Sequence, residues 1–283
     1  MTQSDTTFLV GGLSFTEGPR WHGGRLWFSD AHAGRVLSLG DPGDCRVEAK
    51  MSGPCSGLGW HDDGTMLVLL TQRRALATVR GTTERIFCDL EPLTRGSGTE
   101  MITDRKGRAY VGSSGFDMRA NEAPRSTQLF LVDERGKARP VADDIAFPNG
   151  TVITPDERTL IIAESIGQRL SAFDVAPDGS LSARRTFAKL DGILPDGICL
   201  DAEGAVWVAS PNTKQVLRVT QNGKIAERVS TGERGAYACM LGGSDRKTLY
   251  IATGGVFEFG KPLVKQPAGL ECVTVTVPGD GIP

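Results

Sequence analysis

Along the chain, short apolar runs alternate with polar punctuation in a pattern that returns six times: an apolar segment, a polar turn, then a second apolar run. The turns fall in WHGGRLWF from Trp21, WHDDGTMLV from Trp60, TDRKGRAYV from Thr103, ITPDERTLII from Ile153, LDAEGAVWV from Leu200 and GSDRKTLYI from Gly243. Successive copies lie roughly 40 to 50 residues apart, the period of propeller blades rather than of helical repeats. The fifth copy reads strand by strand as GICLD, AVWVAS, QVLRV and KIAERVS, the last pair joined by the hairpin signal Asn222-Gly223. The fourth repeats it as TVIT, TLIIAES, RLSAFDV and SLSARRTF after the turn Pro177-Asp178-Gly179. Both predict four-stranded antiparallel units. The last copy offers GSDRK, TLYIAT and ECVTVTV and then stands one strand short, and TTFLVG near the N-terminus is left over to supply it.

The pattern therefore predicts an all-β fold, a six-bladed β-propeller over residues 1–283 as a single domain, its ring closed by the N-terminal strand so that no sheet edge is left open. No segment of about twelve residues or more has helical periodicity, which leaves a βαβ reading without support. A β-sandwich would not account for six copies.

Composition agrees with many short strands and tight turns: 36 Gly, 15 Pro and a modest 39% hydrophobic fraction. Lys plus Arg number 32 against 34 Asp plus Glu, without runs of like charge, so nucleic-acid and membrane partners are not expected and a small molecule is. The N-terminus MTQSDTTFLV lacks a signal-peptide pattern and no apolar stretch is long enough to span a bilayer, so a cytoplasmic protein is expected. Six scattered cysteines without a CxxC pair read as reduced thiols, mostly in the core. Oligomeric state is not legible.

Equivalent repeats place equivalent residues around one axis. The positions at the start of the innermost strands are Glu17, Ser56, Thr99, Asn149, Asp196 and Ala238, and those following are Gly18, Gly57, Glu100, Gly150, Gly197 and Cys239. Two carboxylates and an amide oxygen would thus converge, and two bare carboxylates about 4 Å apart repel by roughly 4 kcal/mol at an effective dielectric of 20. A divalent cation relieves that repulsion. Donors that are all oxygen favour Ca²⁺, with Mg²⁺ or Mn²⁺ next and Zn²⁺ behind them. Each residue taken alone could merely cap a strand; three at equivalent positions point to a metal centre held by Glu17, Asn149 and Asp196.

Strand direction returns the loop between second and third strands to the same end of each blade. Two such loops are long, from Ser113 to Thr127 and from Gly254 to Leu270, and are expected to overhang the cation. With Phe147 they bring Phe116, Met118, Phe257 and Phe259 to the pocket, an apolar wall. His22 and His61 sit in turns at the opposite end and are expected to be solvent-exposed, His32 lies in the turn DAHAG, and Trp21, Trp27, Trp60 and Trp207 read as packing.

The segments FTEGPRW with RLWFSD, FPNGTVITPD, LPDGICLDAEGAVWVAS and ACMLGG resemble the senescence marker protein, gluconolactonase and luciferin-regenerating enzyme family, the regucalcin-like proteins, over nearly the whole chain. The resemblance implies a six-bladed propeller, Glu17, Asn149 and Asp196 as ligands of Ca²⁺ or a related ion, and lactone hydrolysis. Where that family usually has Asn-Asp, this chain has Thr99-Glu100, expected to contact substrate. The Arg that sugar-lactone members carry two residues earlier aligns with Ser97.

On this reading the cation polarises a lactone carbonyl and Asp196, the catalytic residue, takes a proton from water. Phe116, Phe147 and Phe257 then favour apolar or aromatic lactones and esters. The Thr99-Glu100 pair keeps open a non-hydrolytic cyclase, isomerase or lyase, and a non-catalytic Ca²⁺ or ligand-binding protein is the reading from a different class.

Overall fold

The computed structural model describes residues 6–40, 43–118, 120–256 and 267–281, and every regular element among them is a β-strand. Six antiparallel sheets follow one another along the chain, and in four of them the strands run in sequential order from the axis outward. Their innermost strands are Thr16–His22, Cys55–Trp60, Gly98–Thr103, Pro148–Ile153, Ile198–Asp201 and Gly235–Gly242. Each of these touches the next, and the last touches the first, so they form a closed ring around an axis. The six-bladed propeller expected from the repeat is the fold.

Ring closure also falls where the leftover strand predicted it. Thr7–Leu13 pairs antiparallel with Ala268–Thr274, Thr7 opposite Cys272 and Leu13 opposite Ala268, and becomes the outermost strand of the sixth blade. First and last segments are thereby stitched into one sheet, which removes the open edge an unclosed array would present.

One expectation is corrected. The fifth blade has five strands, because Gly279–Asp280 adds to the inner edge of Ile198–Asp201, with Leu200 opposite Asp280. A two-residue strand that begins with glycine and is followed by Gly281 carries no hydrophobic alternation by which its pairing could be read.

The first turn of several blades owes its shape to an aspartate. Asp104 and Asp201 each accept two backbone N–H groups of their own turn, from Lys106 and Arg108 and from Glu203 and Ala205, and each pairs with a buried arginine, Arg108 or Arg218. Short polar side chains that bond the backbone two residues on are the reason such turns form. The core lies between blades, not within them. Its clusters bridge neighbours, as where Val36 and Ala49 of the first blade pack on Leu58, Val68 and Ala77 of the second. Trp207 is fully buried, and Trp21, Trp27 and Trp60 are partly buried. Cys55, Cys88, Cys199 and Cys239 are buried free thiols. Among the described residues no helix is long and apolar enough to cross a membrane.

Candidate functional site

At the start of the innermost strands the ladders break register: between Glu17 and Arg20, Cys55 and Leu58, Gly98 and Met101, Pro148 and Thr151, and Ala236 and Ala238. Such bulges bend a strand and re-aim a side chain. Close approach at the axis requires glycine here: a Cβ on Gly150 would lie 2.5 Å from the Ile198 nitrogen, and one on Gly197 would lie 2.5 Å from the Ala238 Cβ. Neighbouring blades are then joined by backbone hydrogen bonds, Gly150 N–H to Asp196 C=O at 3.2 Å and Gly197 N–H to Tyr237 C=O at 2.8 Å.

The irregular segments open a cavity of about 870 Å³ at this end of the axis, and Glu17, Ser56, Thr99, Asn149 and Asp196 all line it. Ala238 is buried, and its neighbour Tyr237 takes its place on the wall. Phe116, only 4% exposed, and Phe147 stand in the wall with ring centroids 5.9 Å apart, and Met118 and Ser97 line it too. Phe147 has φ 65°, a left-handed backbone that a bulky residue adopts only under constraint, and it immediately precedes Pro148. Phe257, and Phe259 with it, lie outside the described residues.

Glu100 departs from its expected role. The Thr99 hydroxyl is at the cavity, donating to Pro148 C=O at 2.6 Å, whereas Glu100 is buried and is not among the residues that line it. Its carboxylate accepts from Arg20 at 3.2 Å and from Met101 N–H at 2.9 Å. Adjacent strand residues face opposite sides, so one member of the pair lines the cavity and the other does not.

Burial pushes the carboxyl groups of both Glu17 and Asp196 well above the usual carboxylate range; the charges of Asp196 and Glu100 raise Glu17 further, and that of Glu100 raises Asp196. The side-chain amide of Asn149 and the Gly197 N–H pull Asp196 back down. Asp196 Oδ1 is buried with no hydrogen-bond partner. The Asn149 amide nitrogen donates to Ser165 Oγ at 3.3 Å. Among the described residues no group of three His, Cys, Asp or Glu side chains gathers as a metal site, so the third donor that the described residues offer beside Glu17 and Asp196 is the neutral amide oxygen of Asn149. Two mutually repelling carboxylates, an orphaned buried oxygen and an amide oxygen fit a hard divalent cation, which would reverse the upward shifts.

A supporting device, not read from the sequence, recurs behind all three residues. In each of their blades a side chain at the end of the second strand or in the loop after it accepts a backbone N–H two or three residues ahead. Asp30 accepts from Ser14 at 2.7 Å and Phe15 at 3.3 Å, before Glu17. Glu164 accepts from Ala146 at 2.9 Å, before Asn149, and Asn212 from Leu194 at 3.0 Å, before Asp196. Asp30 and Glu164 are fully buried and each pairs with the arginine five residues on, Arg35 or Arg169. The spacing D-x₄-R and E-x₄-R was the available signal.

The histidines also need correction. His32 lines the cavity, stacked on Phe15 with centroids 5.0 Å apart and planes at 17°. The rule that second loops return to the site end, applied to DAHAG, would have found it. His22 is half-buried, stacked on Trp60 at 4.0 Å, and His61 packs edge-on against Phe87 at 5.2 Å.

A sequence model described as "SMP-30/Gluconolactonase/LRE-like region" matches residues 15–255. Regucalcin of Danio rerio is 32% identical over 168 residues, 58% of this chain, and the chain spans only 56% of that relative's length. A pentonolactonase of Haloferax volcanii is 27% identical over 248 residues, covering 84% of this chain and 81% of the relative. In fold, a solved luciferin-regenerating enzyme superposes with a TM-score of 0.83 at 18% identity, covering 98% of both chains.

Proposed function

The chain belongs to the SMP-30/gluconolactonase/LRE-like family, and from that premise we propose that it is a divalent-cation-dependent hydrolase that opens a lactone or related ester. One observation carries the reading: Glu17, Asn149 and Asp196, from three different blades, line one cavity with an unpartnered buried carboxylate oxygen among them. These three residues would hold the ion, Ca²⁺ being the best fit to an oxygen donor set. When bound, such an ion supplies Lewis acidity to an ester carbonyl and to water. Of the relatives, the pentonolactonase is by name a lactone hydrolase, which supports the same bond type here.

The chain's own residues supply the rest. Asp196 accepts the proton of the attacking water, and the neighbouring Asn149 amide favours its ionised form. Thr99 and Ser56 have committed their protons to the carbonyls of Pro148 and Thr99, both at 2.6 Å, so toward substrate they present lone pairs. Phe15, Phe116, Phe147 and Tyr237 give the cavity aromatic walls. Burying a phenyl or alkyl branch there contributes roughly 1.5 to 3 kcal/mol, about one to two decades in affinity. A polyhydroxylated sugar lactone would leave hydroxyls unpaired at about 1 to 3 kcal/mol each, and Ser97 is too short to grip one as an arginine would. The preferred substrates are apolar or aromatic lactones and esters.

The test is kcat/KM for a dihydrocoumarin-type and a gluconolactone-type lactone, with saturating Ca²⁺ and with chelator, corrected for spontaneous hydrolysis. A preference of about 10-fold or more for the aromatic lactone, lost on chelation, is expected. Preference for the sugar lactone would refute the substrate assignment, and absence of chelator-sensitive turnover across a lactone and ester panel would refute the hydrolase.

A further inference from the structure

Opening a lactone makes two demands on protons: one leaves the attacking water, and one must reach the ring oxygen as its bond to the carbonyl carbon breaks. The proposed reaction assigns the first to Asp196 and leaves the second without a donor. Resting on that reading, we propose that His32 is the general acid that protonates the departing ring oxygen.

The inventory of the cavity leads to this residue. Ser56, Thr99 and Ser165 each donate to a backbone carbonyl at 2.6 Å, those of Thr99, Pro148 and Pro195, and the Tyr237 hydroxyl donates to Gly255. Their protons are held, and hydroxyl groups are poor acids in any case. Among the rim carboxylates, Glu122 is taken up in an ion pair with Arg125 at 2.8 Å. Among the described lining residues His32 is the one histidine, the side chain that most often serves as general acid or base. Neither of its ring nitrogens has a hydrogen-bond partner among the described residues.

Placement agrees with the role. His32 stacks on Phe15, and Phe15 meets Tyr237 edge-on at 4.7 Å. Tyr237 in turn is near enough to Asp196 and Glu17 that their charges add to the burial that pushes its phenol up. Three rings thus lead from the imidazole to the acid pair. The loop that carries His32 is pinned on both sides: Ala31 N–H donates to Phe15 C=O at 2.7 Å, Ala33 N–H to Ser14 Oγ at 3.0 Å, and Cys55 N–H to Ala31 C=O at 3.1 Å. A fixed backbone that holds a solvent-exposed imidazole in the cavity wall suits both proton delivery and reprotonation from water.

In the step, the water oxygen bonds to the carbonyl carbon while Asp196 takes its proton. The bond from that carbon to the ring oxygen then breaks, its electron pair stays on oxygen, and the oxygen takes the proton from the imidazolium. The product is the open hydroxy acid. The proton on Asp196 returns through solvent to His32, restoring both groups.

The experiment compares two lactones of similar size that differ in leaving group, an alkyl δ-lactone that releases an alkoxide and dihydrocoumarin that releases a phenoxide. For His32→Gln the alkyl lactone should lose about 10²- to 10³-fold in kcat, the aryl lactone less than about 10-fold, with KM unchanged, because a phenoxide departs without help. Added imidazole should restore alkyl-lactone turnover to His32→Ala. Retained aryl-lactone turnover also reports an intact fold and Asp196 machinery. Equal loss on both substrates, no loss on either, or a rise in KM alone would overturn the assignment while leaving the hydrolase standing. A wild type that opens neither lactone would remove the hydrolase reading itself, and the role of His32 with it.

Discussion

Replacing Glu164 with Gln tests whether the supporting device behind Asn149 is electrostatic. The carboxylate is fully buried and accepts from Arg169 at 3.0 and 2.8 Å, from Arg184 at 2.8 Å, from Ser171, and from Ala146 N–H at 2.9 Å. Burial pushes its pKa up, but those hydrogen bonds together outweigh burial and hold it below the ordinary value of 4.5. Removing one partner of a buried ion pair costs about 3 to 5 kcal/mol. Gln keeps the shape and one acceptor oxygen, and the arginines are 35% and 28% exposed, so water offsets part of the loss. A destabilisation of about 2 to 3 kcal/mol follows, or roughly 4 to 12 °C in Tm for a chain of this size.

The sign of the pH dependence is fixed by the direction of the shift. A depressed carboxyl pKa contributes stability that is fully present above the unfolded value near 4.5 and is lost as pH falls through the lower folded value. Urea unfolding of wild type and Glu164→Gln should therefore show a constant gap at neutral pH that narrows on descent below about pH 4.5. A gap that is independent of pH, or smaller than about 0.5 kcal/mol at pH 7, would refute the argument. Because a single acceptor oxygen is then shared among Ala146 N–H, Ser171 and two arginines, Ala146 is held less firmly, and the variant should also bind Ca²⁺ more weakly than wild type at neutral pH, measured by calorimetry.

Removing residues 1–10 should take most of the closing strand from Ala268–Thr274 and produce aggregation or a lowered Tm, seen by size exclusion and thermal melting; unchanged stability would count against closure by that strand. Asp196→Asn should abolish turnover, while Asn149→Asp should retain the cation, since an oxygen donor remains; wild-type rates from Asp196→Asn with cation bound would exclude its role as base. Ca²⁺ at about 100-fold over its Kd should stabilise the wild type by about 2.7 kcal/mol in thermal melts, and Glu17→Ala should lose that gain; an equal gain in both would place the ion elsewhere.

Blade number, ring closure and the five polar positions at the cavity follow from one regularity, a period of about 40 to 50 residues whose equivalent members share an environment. What escaped the sequence was what breaks the repeat or depends on depth. Thr99 and Glu100 are neighbours, and strand alternation sends one to the cavity and the other to Arg20, a distinction obscured by the bulge between Gly98 and Met101. His32 was legible in principle, because the first blade obeys the same loop geometry as the third; a short loop simply draws less attention than a long one. Gly279–Asp280 was not legible, since its pairing is to the inner edge of another blade and its two residues leave no periodic trace.

That short strand has a consequence for traffic. Near Asp280 the chain passes across the far end of the axis, where a Cβ on Gly279 would strike Leu241 of the sixth blade and one on Gly281 would press on Leu200 of the fifth and Ile153 of the fourth. Ala202 N–H donates to Pro278 C=O at 2.9 Å beside it. The described residues that line the cavity holding Glu17 and Asp196 all come from the opposite end. Among the described residues, then, the crossing segment stands behind the cavity and the way in lies at the other end. On the proposed reaction, departing product and incoming substrate would share that one mouth and exclude one another.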